Sequence, residues 1–162
     1  MLIGIELFDM KNIFIGFALL FLASCSTEEG TRTYTTAIRN TSDKPVHILV
    51  LGNGENRNTL VYDTLVNTTL KSGEITFKNT YKFPSFHGMH NGTYFIDIYY
   101  TKIKFIENNK GYICKLEEDT ELCTSNKNGL PNARSTNDFT LENGVYYYDI
   151  TQTDYENAHV LP

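Results

Sequence analysis

Apolar residues recur every second position along most of this chain, and nowhere do they recur every 3.6, so the chain is built for sheets and not for long helices. Val46, Ile48 and Val50 alternate with His47 and Leu49, and the run 33–38 places Tyr34, Thr36 and Ile38 on one side. Ile75, Phe77, Tyr81 and Phe83 alternate with Thr76, Lys78, Thr80 and Lys82, which predicts a strand with one wet face. Residues 93–107 form a longer β-rich run. Tyr94, Ile96, Ile98 and Tyr100 hold one phase; past Thr101 the apolar pattern passes to Ile103 and Phe105, and Lys102 and Lys104 take the first phase. Such a flip predicts a bulge or a break. Composition leans the same way. Eleven Tyr and ten Phe with no Trp suit pleated, half-buried surfaces.

Between these runs lie turn signals. Asn40-Thr41-Ser42-Asp43-Lys44-Pro45 and Asn108-Asn109-Lys110-Gly111 are turns by residue type, and residues 52–58 read as a loop before a strand at 60–66 that pairs back on the second. Asn143-Gly144 sits between 138–141 and 145–151, the strongest short hairpin signal. Tyr112, Cys114 and Leu116 share a face, and 154–158 has room for one helical turn. About eight or nine short strands joined by polar turns close as a sandwich or a barrel. The expectation is an all-β fold, an antiparallel β-sandwich of immunoglobulin-like type first and a small up-and-down barrel second. Cys114 and Cys123 read as a disulfide closing a loop of about ten residues. Their spacing is not that of a redox pair.

The amino-terminal region is of another kind. Residues 13–22 are apolar, too few to span about 30 Å of hydrocarbon, preceded by Lys11 and followed by small residues, as in a signal peptide. Leu22-Ala23-Ser24-Cys25 resembles a lipobox, the maturation sequence of bacterial lipoproteins. The resemblance implies cleavage between Ser24 and Cys25 and lipidation of the Cys25 thiol. Glu6 and Asp9 fit a signal peptide poorly, and translation from Met10 gives a better one. The domains expected are a signal peptide over 1–24, a lipidated Cys and polar tether over 25–30, and a single β-rich domain over 31–162. Glu28 and Glu29 after the Cys resemble the export signal of surface lipoproteins of Bacteroidota-type bacteria.

Candidate chemistry is sparse. The formal net charge is −5 and the basic residues are scattered along the sequence, which argues against a nucleic-acid partner. His87 and His90 stand three residues apart beside Met89, a weak metal site without an evident third ligand. Residues 117–121 are acidic but lack the pattern of a calcium loop. Asp63-Thr64-Leu65 resembles an O-glycosylation sequence of the same bacteria. No catalytic residue is singled out and no cofactor is implied. The aromatic residues Tyr94, Tyr99, Tyr100, Tyr146, Tyr147 and Tyr148 are the expected ligand-binding candidates, because tyrosine rings stack on sugars and grip protein surfaces.

Taken together, Ile38-Arg39-Asn40-Thr41-Ser42, the run from Tyr94 to Tyr100 and the run from Tyr148 to Ala158 resemble small surface lipoproteins of Bacteroidota-type bacteria. The resemblance implies an outer-membrane protein held by its lipid, acting as a non-enzymatic binding or interaction module for a glycan or an envelope protein. Two other readings are a hydrolase of envelope polymers and an inhibitor or immunity-type lipoprotein.

Overall fold

The computed structural model describes residues 30–53, 62–76, 78–89, 98–116, 120–123 and 127–162. Residues 1–29, and with them the signal peptide, Ser24 and Cys25, lie outside the described residues, as do Phe77, His90, Tyr94 and 117–119. The chain divides into two units, Met1–Gly30 and Thr31–Pro162, and every described strand belongs to the second.

Nine strands are described: β1 (Arg32–Asn40), β2 (Val46–Asn53), β3 (Tyr62–Leu70), β4 (Asn79–Phe83), β5 (Ile98–Phe105), β6 (Lys110–Lys115), β7 (Thr140–Glu142), β8 (Val145–Ile150) and β9 (His159–Val160). One short helix, α1 (Gln152–Glu156), follows β8. The strands form two open sheets, a first in the order β4-β1-β8-β7 and a second in the order β3-β2-β5-β6-β9. The fold is thus an all-β sandwich and not a barrel. Its strand order is not the immunoglobulin arrangement of first, second, fifth and fourth strands opposite third, sixth and seventh.

Among the described strands every pair is antiparallel except one. β1 runs parallel to β8, with Thr35 opposite Val145 and Asn40 opposite Ile150. The antiparallel sandwich expected from the sequence thus holds with this one parallel pair added, because alternation fixes which face a strand buries and says nothing of its neighbour. A parallel pair needs a long crossover, and the intervening strands supply it.

One core joins the sheets. Ile38, Tyr148 and Ile150 of the first pack in a single cluster with Val46, Ile48, Val50, Ile103 and Phe105 of the second. Fully burying side chains of this kind stabilises by roughly 1.5–3 kcal/mol each, before the cost of ordering the chain is subtracted. Asn40, also fully buried, ties the sheets at one end. Its Nδ2 donates to the carbonyls of Lys44 (2.8 Å) and Leu70 (3.1 Å), and its Oδ1 accepts from the Ser42 hydroxyl (2.7 Å) and amide (3.1 Å). The 40–45 turn is therefore organised around a buried amide, not merely polar.

Two strand readings shift. Between Gly73 and β4 the expected alternation breaks. Ile75 is exposed and Thr76 buried, because the Thr76 hydroxyl accepts from the Ile38 amide at 2.9 Å and the Thr76 amide donates to the Ile38 carbonyl at 2.9 Å. The strand β4 then begins at Asn79 with Tyr81 inward. In β5 the expected phase flip is present but earlier. Leu51 opposes Tyr100 while Gly52 opposes Ile98, so Tyr99 is the extra residue of a bulge, and Thr101, Ile103 and Phe105 already point inward.

The β7–β8 hairpin is as read. Asn143 (φ 49°) and Gly144 (φ 78°) take the two left-handed positions of a two-residue turn. The disulfide joins Cys114 and Cys123. It holds the 120–123 segment along β6, where the Ile113 amide donates to the Leu122 carbonyl. After β8, Thr151 and Asp154 form a capping box that starts α1.

Candidate functional site

The three consecutive tyrosines of β8 do not form a wet platform. Tyr146 faces the core, its ring 4.6 Å from that of Phe86 and 6.1 Å from that of Tyr34. Tyr148 is fully buried, and its hydroxyl donates to the Asn128 carbonyl at 3.0 Å. Burial pushes its phenol far above the ordinary value. Tyr147 points to the opposite side but is also buried, with the Arg39 guanidinium 4.3 Å above its ring. The sequence shows the alternation of this run, yet what covers each face comes from β1 and from the 84–89 segment, both remote in sequence.

That segment is itself pinned. The Tyr81 hydroxyl donates to the Gly88 carbonyl (2.8 Å) and accepts from the His87 amide (3.2 Å). Gly88 has φ +79°, and a Cβ there would fall 2.2 Å from the Ala133 carbonyl oxygen, so only glycine fits. His87 is exposed, its Nε2 3.1 Å from the Ser85 hydroxyl and its ring edge-on to Phe83. Among the described residues no group of three or more His, Cys, Asp or Glu side chains could hold a metal ion. A recess lined by His87, Met89, Ile98, Leu130, Pro131 and Arg134 has room for about one water among the described residues.

The outer side of the first sheet is closed by charge. Arg39 Nε donates to Asp149 Oδ1 at 2.7 Å and its Nη2 to Asp149 Oδ2 at 3.1 Å, a two-pronged pair, and its Nη1 pairs with Glu142. These carboxylates raise the Arg39 guanidinium further above its already high value. Lys127 reaches across to Asp154, whose Oδ2 also takes the Thr151 amide at 2.7 Å. Among the described residues no helix is long and apolar enough to cross a membrane.

The outer side of the second sheet is different. Register places Leu49, Lys102 and Ile113 in one row across β2, β5 and β6, and Leu51, Tyr100 and Lys115 in the next, with His47 opposite Lys104. Inward Thr101, Ile103, Tyr112 and Cys114 fix the outward direction of the residues between them. Three lysines thus share one face, and the outward positions of β2, β5 and β6 hold no Asp or Glu. Among the described residues Lys102 and Lys104 make no ion pair. Tyr100 stands half-buried beside them; burial pushes its phenol up, and nearby Lys115 draws it partly back. Tyr99, at the bulge, stacks on Tyr62 with ring centres 4.8 Å apart and planes 11° from parallel.

Along the sequence the cations look scattered. The one available signal for this face is the alternation Lys102-x-Lys104 in the half of β5 whose other phase is apolar. Compared with models of protein families, with curated proteins and with solved structures, the chain matches none.

Proposed function

We propose that this chain is a lipid-anchored protein of the bacterial outer membrane whose β-sandwich is a binding module and not an enzyme. The observation that carries the reading is the Cys114–Cys123 disulfide. Bonds of this kind persist in oxidising, extracytoplasmic compartments, which is where a chain with Leu22-Ala23-Ser24-Cys25 after an apolar run of ten would be delivered. In this reading Cys25 carries the lipid, residues 26–30 are a short tether, and the partner is a glycan or an envelope protein. Binding is favoured over catalysis because the charged groups in close contact hold elements together. Arg39 joins β1 to β8 and β7, Lys127 joins the 127–129 segment to α1, and Lys44 joins the 40–45 turn to Glu107.

The test is intact mass spectrometry of the chain made in a lipoprotein-processing bacterium. The expected product lacks residues 1–24 and carries diacylglycerol on Cys25, and Cys25→Ser yields an uncut chain. A processed protein without lipid, or an uncut one free in the cytosol, overturns the proposal.

A further inference from the structure

We infer that the outer face of the second sheet, centred on Lys102, Lys104 and Tyr100, binds an acidic polysaccharide through its uronate carboxylates. The inference names the ligand class of the binding module proposed above and rests on that reading. The physical basis is charge. The chain carries a formal net charge of −5, yet this face presents Lys102 and Lys104 side by side and no carboxylate from β2, β5 or β6. Lys102 and Lys104 follow each other on the same side of a central strand, about 7 Å apart at two strand residues. Lys115 lies one strand over and one pleat along from Lys102, within the roughly 7–8 Å of a diagonal pair. Like charges as close as Lys102 and Lys104 repel, whereas Arg39 has Asp149 and Glu142, Lys44 has Glu107 and Lys127 has Asp154. Two adjacent cations with no carboxylate partner among the described residues are complementary to an external polyanion.

Shape and chemistry narrow the polyanion. The face is a sheet surface with half-buried outward side chains, which suits a linear polymer lying across strands. Tyr100 is half-exposed within the cluster, opposite Lys115 on one side and Leu51 on the other. A phenol ring offers a flat apolar surface to the C–H face of a sugar and a hydroxyl to its oxygens, while the Lys102 and Lys104 ammonium groups along the same strand take carboxylates as charge-assisted hydrogen bonds. His47, opposite Lys104, shares its Nε2 with Asn67 Oδ1 at 3.0 Å and adds a polar rim. An acidic peptide would use the lysines but not the aromatic ring, so it is the competing occupant to exclude. Glu121 belongs to the segment running along the β6 edge and bounds the face on that side.

The experiment uses the full lipidated chain in phosphatidylcholine vesicles, titrated with polygalacturonate, neutral dextran and poly-glutamate at low and high salt. The expected result is binding of polygalacturonate that weakens as salt rises, with little binding of dextran or poly-glutamate. Lys102→Gln with Lys104→Gln weakens that binding about tenfold or more, Lys102→Arg with Lys104→Arg restores it, and Tyr100→Ala weakens it at both salt concentrations. All variants must keep the parent's melting temperature, and the surface position of the three side chains makes this the expected outcome. Polygalacturonate bound no better than dextran, or bound equally by the double Gln variant, overturns the inference. So does poly-glutamate bound as tightly as polygalacturonate, which would give the face to an acidic protein segment. None of these failures touches the lipid on Cys25, which the mass measurement reads separately.

Discussion

On the outer side of the first sheet Arg39 holds Asp149 and Glu142 over the Tyr147 ring, whereas on the outer side of the second Lys102 and Lys104 hold no carboxylate among the described residues. Both faces are built from the same pleated geometry, and both carry cations beside tyrosines. One uses its charge for cohesion and packs the aromatic ring under a guanidinium. The other leaves two lysines without a carboxylate partner among the described residues, beside a half-buried ring. The contrast teaches that an aromatic run in the sequence is a poor guide to exposure, since β8 with three tyrosines is the packed strand and β5 carries its alternating lysines on the less covered face.

The largest effect expected concerns the joint between the sheets. Asn40→Ala removes the bonds its amide makes to the Lys44 and Leu70 carbonyls and to Ser42, so unfolding by urea should show a loss of about 3 kcal/mol. A loss near zero would mean that apolar contact alone joins the two layers. Next comes the edge of the second sheet. Reduction, or Cys114→Ser with Cys123→Ser, should cost about 2.5–3 kcal/mol, read as a lower melting temperature that reoxidation of the parent reverses.

The comparison of faces is sharpened by a matched pair of variants. Arg39→Met should cost about 2 kcal/mol, because Asp149 is left half-buried without its two-pronged partner. At alkaline pH a further difference appears. Burial raises the Tyr112 phenol to about 12 from its ordinary 10.0, so the folded chain keeps a proton that the unfolded chain gives up. Stability should be full below about pH 10 and fall as pH climbs toward about 12, and Tyr112→Phe should flatten that fall while costing about 1 kcal/mol at neutral pH, where the bond its hydroxyl donates to the Asp154 carbonyl is lost. Tyr148 contributes in the same direction. The smallest effect belongs to the open face. Lys102→Met with Lys104→Met should change stability by less than about 0.5 kcal/mol, and a loss comparable to that of Arg39→Met would erase the distinction between the two faces.

Much of the architecture was legible locally. Val46, Ile48 and Val50 announce a strand half-buried in one sense, Asn143-Gly144 announces a two-residue hairpin, and the pairing of Cys114 with Cys123 follows from their number and spacing. What was not legible is nonlocal. Thr76 turns inward because the Ile38 amide, 38 residues earlier, offers its hydroxyl a partner. The partner of β1 is β8, and no periodicity encodes that choice. The candidate ligand residues divide in the same way. Tyr146, Tyr147 and Tyr148 are covered by residues distant in sequence, while Lys102, Lys104 and Lys115 form a cluster only once β5 and β6 are in register.

The parallel pairing of β1 with β8 also has a temporal side. Of the described strands β1 is the first to be synthesised, and it lies between β4 and β8, the latter made only after six others. Contacts so widely separated in sequence form late and slowly. Until β8 has left the ribosome, β1 has an unzipped side and the first sheet cannot lock. If the chain is exported as proposed, threaded through a narrow conduit before it folds, such an arrangement gives it time to pass.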